Sequence, residues 1–354
     1  MPDMPNDHPH PAGAAALNDG APILVEVTRG AMVESRHRGH AAVVDPDGGV
    51  VLAWGDVETV IYPRSAIKPL QALPLVESGA ADALGLGDAE LALACASHGG
   101  EPRHVKTVSD WLARAGLSVD DLECGGHWPS YAPAARDIAA AGETPTAVHN
   151  NCSGKHAGML STARHLGEKT NGYIDFAHPV QQRVLGILEQ LTGADLAAAP
   201  RGIDGCSLPI YGTRLGNLAL AFARFADPAK LPPARAEAIA RIRAAMASEP
   251  FMVAGTGRFC TAVMEVTGAD AAIKTGAEGV YCGAVPGLGL GVALKIEDGA
   301  TRAAEVAMAA ILRRLGVLDE ARAAQLADRL EVPLSNWAGR RVGAVRPGDT
   351  LTDP

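Results

Sequence analysis

β-rich sequence lies toward both ends of this chain, and helical sequence fills the long stretch between them. Ile23–Arg29 and Ala41–Val44 are rich in apolar and β-branched residues. The turn Asp45-Pro46-Asp47-Gly48-Gly49 then leads into Val50–Trp54, so the chain opens as a hairpin or meander. After Pro63 the spacing changes, and Ile67, Leu70, Leu73, Leu75 and Val76 recur at helical intervals. Ala81–Ala96 and His104–Ala115 read as two more helices around the loop Ser97-His98-Gly99-Gly100, and residues 122–150 read as irregular. Lys155–Leu166, Pro179–Leu191, Thr213–Phe225 and Ala234–Ala247 read as helices, with Pro179 suited to a first helical position. Ala271–Lys274, Gly279–Val285 and Leu288–Ile296 return to strands about a Pro286-Gly287 turn. Arg302–Leu315 reads as a closing helix and Val342–Arg346 as a final strand. The expected fold is α/β: an antiparallel or mixed sheet fed from both chain ends, with a helical insertion between.

Composition narrows the function. The 354 residues are 47% hydrophobic and 20% charged, enough to bury a sizeable core, and residues 21–354 are expected to form one compact domain. Residues 1–20, with Pro2, Pro5 and Pro9 and neither a basic start nor an apolar core, read as a disordered tail rather than a secretory signal. No apolar run is long enough for a membrane helix. A formal net charge of −9 argues against general affinity for nucleic acid or anionic membrane. The six cysteines are scattered and no signal precedes them, so reduced thiols in a cytoplasmic protein are expected.

Three constellations carry chemistry. Ser65-Ala66-Ile67-Lys68 is a Ser-x-x-Lys at a helix start, where residues three apart share a face. A lysine left neutral by burial can serve as base for the serine hydroxyl. Lys274-Thr275-Gly276 lies at the end of a strand run. Ser-x-x-Lys on a helix facing Lys-Thr-Gly on a strand is the layout of β-lactamases and penicillin-binding proteins. Their middle motif, an Asn two residues after a Ser, is missing at Ser97-His98-Gly99. The third constellation joins Asn150-Asn151-Cys152-Ser153-Gly154-Lys155-His156 with Asp204-Gly205-Cys206. Two thiolates from separate loops with a nitrogen ligand nearby suit zinc, and residue chemistry alone favours His156 as that nitrogen. Two buried thiols without a metal are the alternative. Arg64 is a candidate clamp for a substrate carboxylate. Backbone N–H groups around Ser65 or Gly276 are candidate donors to an oxyanion. His98, His104 and Cys124-Gly125-Gly126-His127 read more simply as helix ends and a loop turn.

In order along the chain stand Ser65-x-x-Lys68, Cys95-Ala96-Ser97-His98, Cys124-Gly125-x-His127-x-Pro129, Asn150–Gly158, His178-Pro179-x-Gln181, Asp204-Gly205-Cys206 and Lys274-x-Gly276-Ala277-Glu278-Gly279-Val280. Together they resemble the asparaginase II family, the rhizobial type also called class 3 L-asparaginases. The resemblance implies a β-lactamase-like fold, hydrolysis of L-asparagine to L-aspartate and ammonia, a homodimer and a bound zinc. It also implies that Ser65 with Lys68 and Ser97 with Lys274 form two Ser–Lys tandems. Cys152, Lys155 and Cys206 match the metal ligands, and Asp204 matches a residue holding metal-bound water or the substrate amine. Two rivals stand beside it: a serine hydrolase acting on another amide or ester, and an amino-acid-binding module without turnover. The four Ser–Lys residues argue against the second.

Overall fold

A computed structural model describes residues 20–352. The tail expected over residues 1–20 therefore lies, apart from Gly20, outside the described residues. The main sheet has eight strands. They are β1 Ile23–Arg29, β2 Met32–Val44, β3 Val50–Trp54, β4 Ala272–Thr275, β5 Val280–Val285, β6 Leu290–Ile296, β7 Val332–Ser335 and β8 Arg341–Pro347. The spatial order is β7-β8-β1-β2-β6-β5-β4, with β3 paired to the inner half of β2, and every pairing is antiparallel. Strands from the two chain ends thus interleave, as their placement in the sequence predicts. The opening of β2 escapes a search for apolar runs because its residues alternate, with Glu34, Arg36 and Arg38 exposed and His37 buried.

Helices cover both faces of the sheet, which is why all six residues of β5 are buried. Helix Leu215–Ala226 lies on one face. A Cβ on Gly291 would stand 2.0 Å from Ala223 N and 2.1 Å from Ala219 O, so glycine there lets the helix meet the strand backbone directly. A Cβ on Gly283, on the opposite face, would meet Met308 of helix Thr301–Arg314.

The insertion departs from the expected helices in instructive ways. The run after Pro63 becomes a 3₁₀ turn, Arg64–Ile67, followed by Lys68–Gln71 and Leu73–Glu77. Pro69 and Pro74 lack the N–H a continuous helix needs at those positions. Ala81–Ala96 divides into Ala80–Ala83 and Asp88–Ala94, because Gly85 turns the chain at φ +59°. Residues 122–150 contain a helix, Ala132–Ala140, whose only buried residue is Ala134, so it has almost no apolar stripe to read. The short helices Pro250–Ala254 and Phe259–Thr267 were likewise not expected. All six cysteines are free and buried. No helix among the described residues is long and apolar enough to cross a membrane.

Candidate active site

The Ser65 turn hangs from the strand pair Val60–Ile61 and Thr213–Arg214. Pro63 precedes it, and Arg64 adopts φ +51°. That left-handed conformation costs a non-glycine residue about 1–3 kcal/mol. It aims the Arg64 side chain at Asp204, where Nε donates to Oδ1 at 2.8 Å. Ser65 is half-buried, and among the described residues neither its hydroxyl nor its N–H has a hydrogen-bond partner.

Lys68 is completely buried. A buried amine must find acceptors, and Lys68 Nζ donates to the Ala96 carbonyl and meets Ser97 Oγ at 3.0 Å. Lys274, equally buried on β4, reaches the same hydroxyl at 2.8 Å and the Thr275 carbonyl at 2.7 Å. The expected contact of Ser97 with Lys274 is present. The expected contact of Ser65 with Lys68 is not, because Lys68 is drawn to Ser97. Burial lowers the pKa of both lysines. For Lys274, burial and then the neighbouring Lys68 charge bring it to about 7. A serine hydroxyl held between two easily deprotonated amines is poised for proton transfer.

Gly276 closes β4 against the serine turn. A Cβ there would lie 2.9 Å from Pro63 O and 3.2 Å from Ala66 N. Its N–H is taken by Val280 O at 2.8 Å, which corrects the expectation that it could serve an oxyanion. Gly276 therefore acts by its missing side chain. Gly276→Ala should push the turn aside and lower kcat about ten- to a hundredfold, since small misplacements of reacting groups are costly. Steady-state kinetics showing wild-type kcat would refute that role.

Behind this centre Cys152 precedes helix Ser153–His165, which carries Lys155 and His156 in its first turn. Cys206 comes from the loop after Arg201–Ile203, and Lys155 Nζ lies 3.1 Å from Cys206 Sγ. A hydrogen bond from Cys206 holds the Cys152 thiol well below its ordinary range. Burial works to lower the Lys155 pKa, but Cys152, Cys206 and Asp204 outweigh it and raise it. Burial likewise works to raise Asp204, and Lys155 and Arg64 keep it below the usual carboxylate range. His156 turns elsewhere. Its Nδ1 lies 2.6 Å from the Tyr173 hydroxyl, whose oxygen already accepts the Glu123 N–H at 3.0 Å. With the Tyr173 hydroxyl donating to an unprotonated Nδ1, the imidazole proton lies on Nε2, a buried atom without a partner among the described residues. Burial, then the Lys155 charge, keeps the ring neutral. No group of three or more His, Cys, Asp and Glu converges among the described residues. The nitrogen beside the thiols is thus Lys155, where residue chemistry alone favoured His156.

The loop residues with bland sequence readings turn out to hold this cluster. Asn150 Nδ2 donates to the Cys124 and Gly125 carbonyls at 2.8 and 2.9 Å, and its Oδ1 accepts the Cys152 N–H at 2.8 Å. His127 Nε2 accepts the Asn151 N–H at 2.9 Å. The density of polar residues over 150–156 was the available signal.

A model of the L-asparaginase II family matches residues 25–347, nearly the whole chain. The chain belongs to the L-asparaginase II family. It is therefore an amidohydrolase, with L-asparaginase activity at the level of the family. No curated protein matches it. Among solved structures, a β-lactamase from Mycobacterium bovis aligns with 13% identity and a TM-score of 0.39, covering 78% of this chain and 94% of that one. As a member of the L-asparaginase II family, the chain carries its serines and lysines on the elements just described.

Proposed function

We propose that this protein hydrolyses L-asparagine to L-aspartate and ammonia through a serine-bound acyl intermediate with lysine as the base. The observation carrying this reading is the Ser97 hydroxyl, 3.0 Å from Lys68 and 2.8 Å from Lys274, both amines being buried. Ser65 Oγ attacks the side-chain amide carbon and its proton passes to neutral Lys68, whose amine turns from Ser97 to Ser65 to take it. The tetrahedral adduct expels ammonia, which takes that proton back through Ser97, leaving an aspartyl ester on Ser65. Water, deprotonated by Lys68, then attacks the ester, and Lys68 returns that proton to the departing Ser65 oxygen, which releases L-aspartate and restores the free serine. The Ser65 N–H, without an acceptor among the described residues, is the backbone donor suited to the oxyanion. A second reading makes Ser97 the nucleophile, favoured by its two lysine contacts. Ser65 is preferred because Ser97 is only 8% exposed and its oxygen is already engaged twice.

Arg64 and Asp204 carry the opposite charges that an amino acid's carboxylate and ammonium require. The orphan His156 Nε2 donor adds a further group for the substrate. Cys152, Cys206 and Lys155 form a donor set of two sulfurs and one amine that fits zinc, a borderline-soft cation, once the lysine gives up its proton on binding. Those three residues would hold it, and the metal would supply fixed positive charge that orients substrate. The reading includes a cytoplasmic homodimer, for which the exposed apolar side chains of Val60, Tyr62 and Ile203 offer a surface.

The test is ammonia release by the purified protein from L-asparagine beside L-glutamine. L-asparagine should react at least about tenfold faster, because a longer side chain misplaces its amide. Equal rates, or none on either, would overturn the substrate assignment. Turnover of a chromogenic β-lactam instead would point to the other serine hydrolases.

A further inference from the structure

His98 stands next to Ser97 and is completely enclosed, yet nothing in the proposed chemistry uses it. Its hydrogen bonds can be ordered without ambiguity. Gly100 N–H donates to His98 Nδ1 at 3.1 Å, so that nitrogen must be unprotonated. The ring proton then lies on Nε2, which donates to Ser153 Oγ at 2.9 Å. Ser153 in turn donates its own proton to the Val148 carbonyl at 2.9 Å. Every donor and acceptor in this chain is used once, and only the neutral imidazole fits it. Burial, followed by the neighbouring His104, favours that neutral form.

The ring is also held across its plane. His98 stacks on His104 at 4.9 Å, and His104 stacks on Phe251 at 4.6 Å. His104 Nε2 meets the Phe251 carbonyl at 3.0 Å, and two residues on, Val253 O accepts the Ser97 N–H at 3.0 Å. On the other side the His98 N–H donates to Asn151 O at 3.2 Å. Gly100, at φ +71°, presents the N–H that His98 accepts. The Ser97 loop and the Asn151–Ser153 loop are thus joined through His98 by one backbone bond and one side-chain bond. Cys152 lies between the two attachment points.

We infer that His98 is a positioning residue that fixes the Ser97 hydroxyl relative to the Cys152 loop by its Nε2–H···Ser153 bond. The inference rests on the reading of Ser97 as part of the proton relay.

Asparagine and glutamine divide the two functions of the ring. Glutamine places its amide near Nε2 and can keep the Ser153 bond, whereas asparagine mimics only Nδ1. His98→Asn should lower kcat for L-asparagine about ten- to a hundredfold, with KM changed less than about threefold. His98→Gln should recover kcat to within about threefold of wild type, and the pair His98→Asn with Ser153→Ala should be no worse than either alone. A filler of the core would show no such rescue. Wild-type kcat in His98→Asn, or equal losses in the Asn and Gln variants, would overturn the inference. Should the variants fail to fold, ¹⁵N-histidine spectra of the wild-type protein decide, with the Nε2–H tautomer expected and the Nδ1–H tautomer fatal. Ser97→Ala separates the two levels. If it is inactive while His98→Asn behaves as wild type, only the role of His98 falls. If Ser97→Ala keeps full kcat, the relay reading falls and this inference with it.

Discussion

Ser65→Ala is expected to take ammonia release from L-asparagine to background, a loss of kcat approaching about a millionfold, as for other lost nucleophiles. Circular dichroism and thermal unfolding should remain those of the wild type, because Ser65 is only half-buried and its hydroxyl, the group removed, has no hydrogen-bond partner among the described residues. Lys68→Met should do comparable damage, and the double variant should be no worse than either single, since nucleophile and base act as one unit. Brief reaction followed by acid quench and mass spectrometry should find the aspartyl ester on the peptide carrying Ser65. An ester on the Ser97 peptide, with near-normal turnover in Ser65→Ala, would transfer the nucleophile to Ser97. The pH profile follows from the two buried lysines. Lys274 is lowered to about 7, so it is neutral above that pH and charged below it. A charged Lys274 beside Ser97 blocks the relay, so kcat should fall on the acid side of about pH 7 and level off above it. Lys68 and Lys274 interact, and the midpoint therefore belongs to the pair. A rate independent of pH between 5 and 9, an illustrative range of roughly two units about neutrality, would refute a neutral-lysine mechanism.

Cys152→Ser and Cys206→Ser carry the second large effect. The wild-type protein, purified without chelators, should contain about one zinc per chain, since thiolates select zinc over magnesium or calcium. Either variant should lose it. The KM for L-asparagine should then rise at least about tenfold, the scale on which groups supporting a metal act. Under the orienting role, kcat stays within severalfold of wild type. Collapse of kcat to background, restored by added zinc at unchanged KM, would make the metal catalytic. Full activity in protein that contains no zinc would remove the metal from the account, leaving Lys155 as the counter-charge to two buried thiols.

Much of this protein is legible in its residues one segment at a time. Strand-forming runs at Ile23–Arg29 and Val50–Trp54, and again at Ala271–Lys274 and Gly279–Val285, announce a sheet built from both ends of the chain. Ser-x-x-Lys, Lys-Thr-Gly and the two cysteine loops can be found by inspection, because each is a local pattern. Their order along the chain is enough to indicate the family. What local pattern does not contain is which side chain each group meets. Lys68 is three residues from Ser65, yet its hydrogen bonds go to Ala96 and Ser97, 28 and 29 residues away. Lys274 reaches Ser97 across 177 residues. Those meetings depend on where the sheet edge β4 packs against the serine turn, a close approach that a Cβ on Gly276 would obstruct. Likewise His156 meets Tyr173, 17 residues away, and Lys155 is left with Cys206, 51 residues away. Spacing identifies the groups because it reports on neighbours in the chain. Burial and long-range contact assign their partners, since a polar group taken out of water must accept whatever partner the fold brings to it.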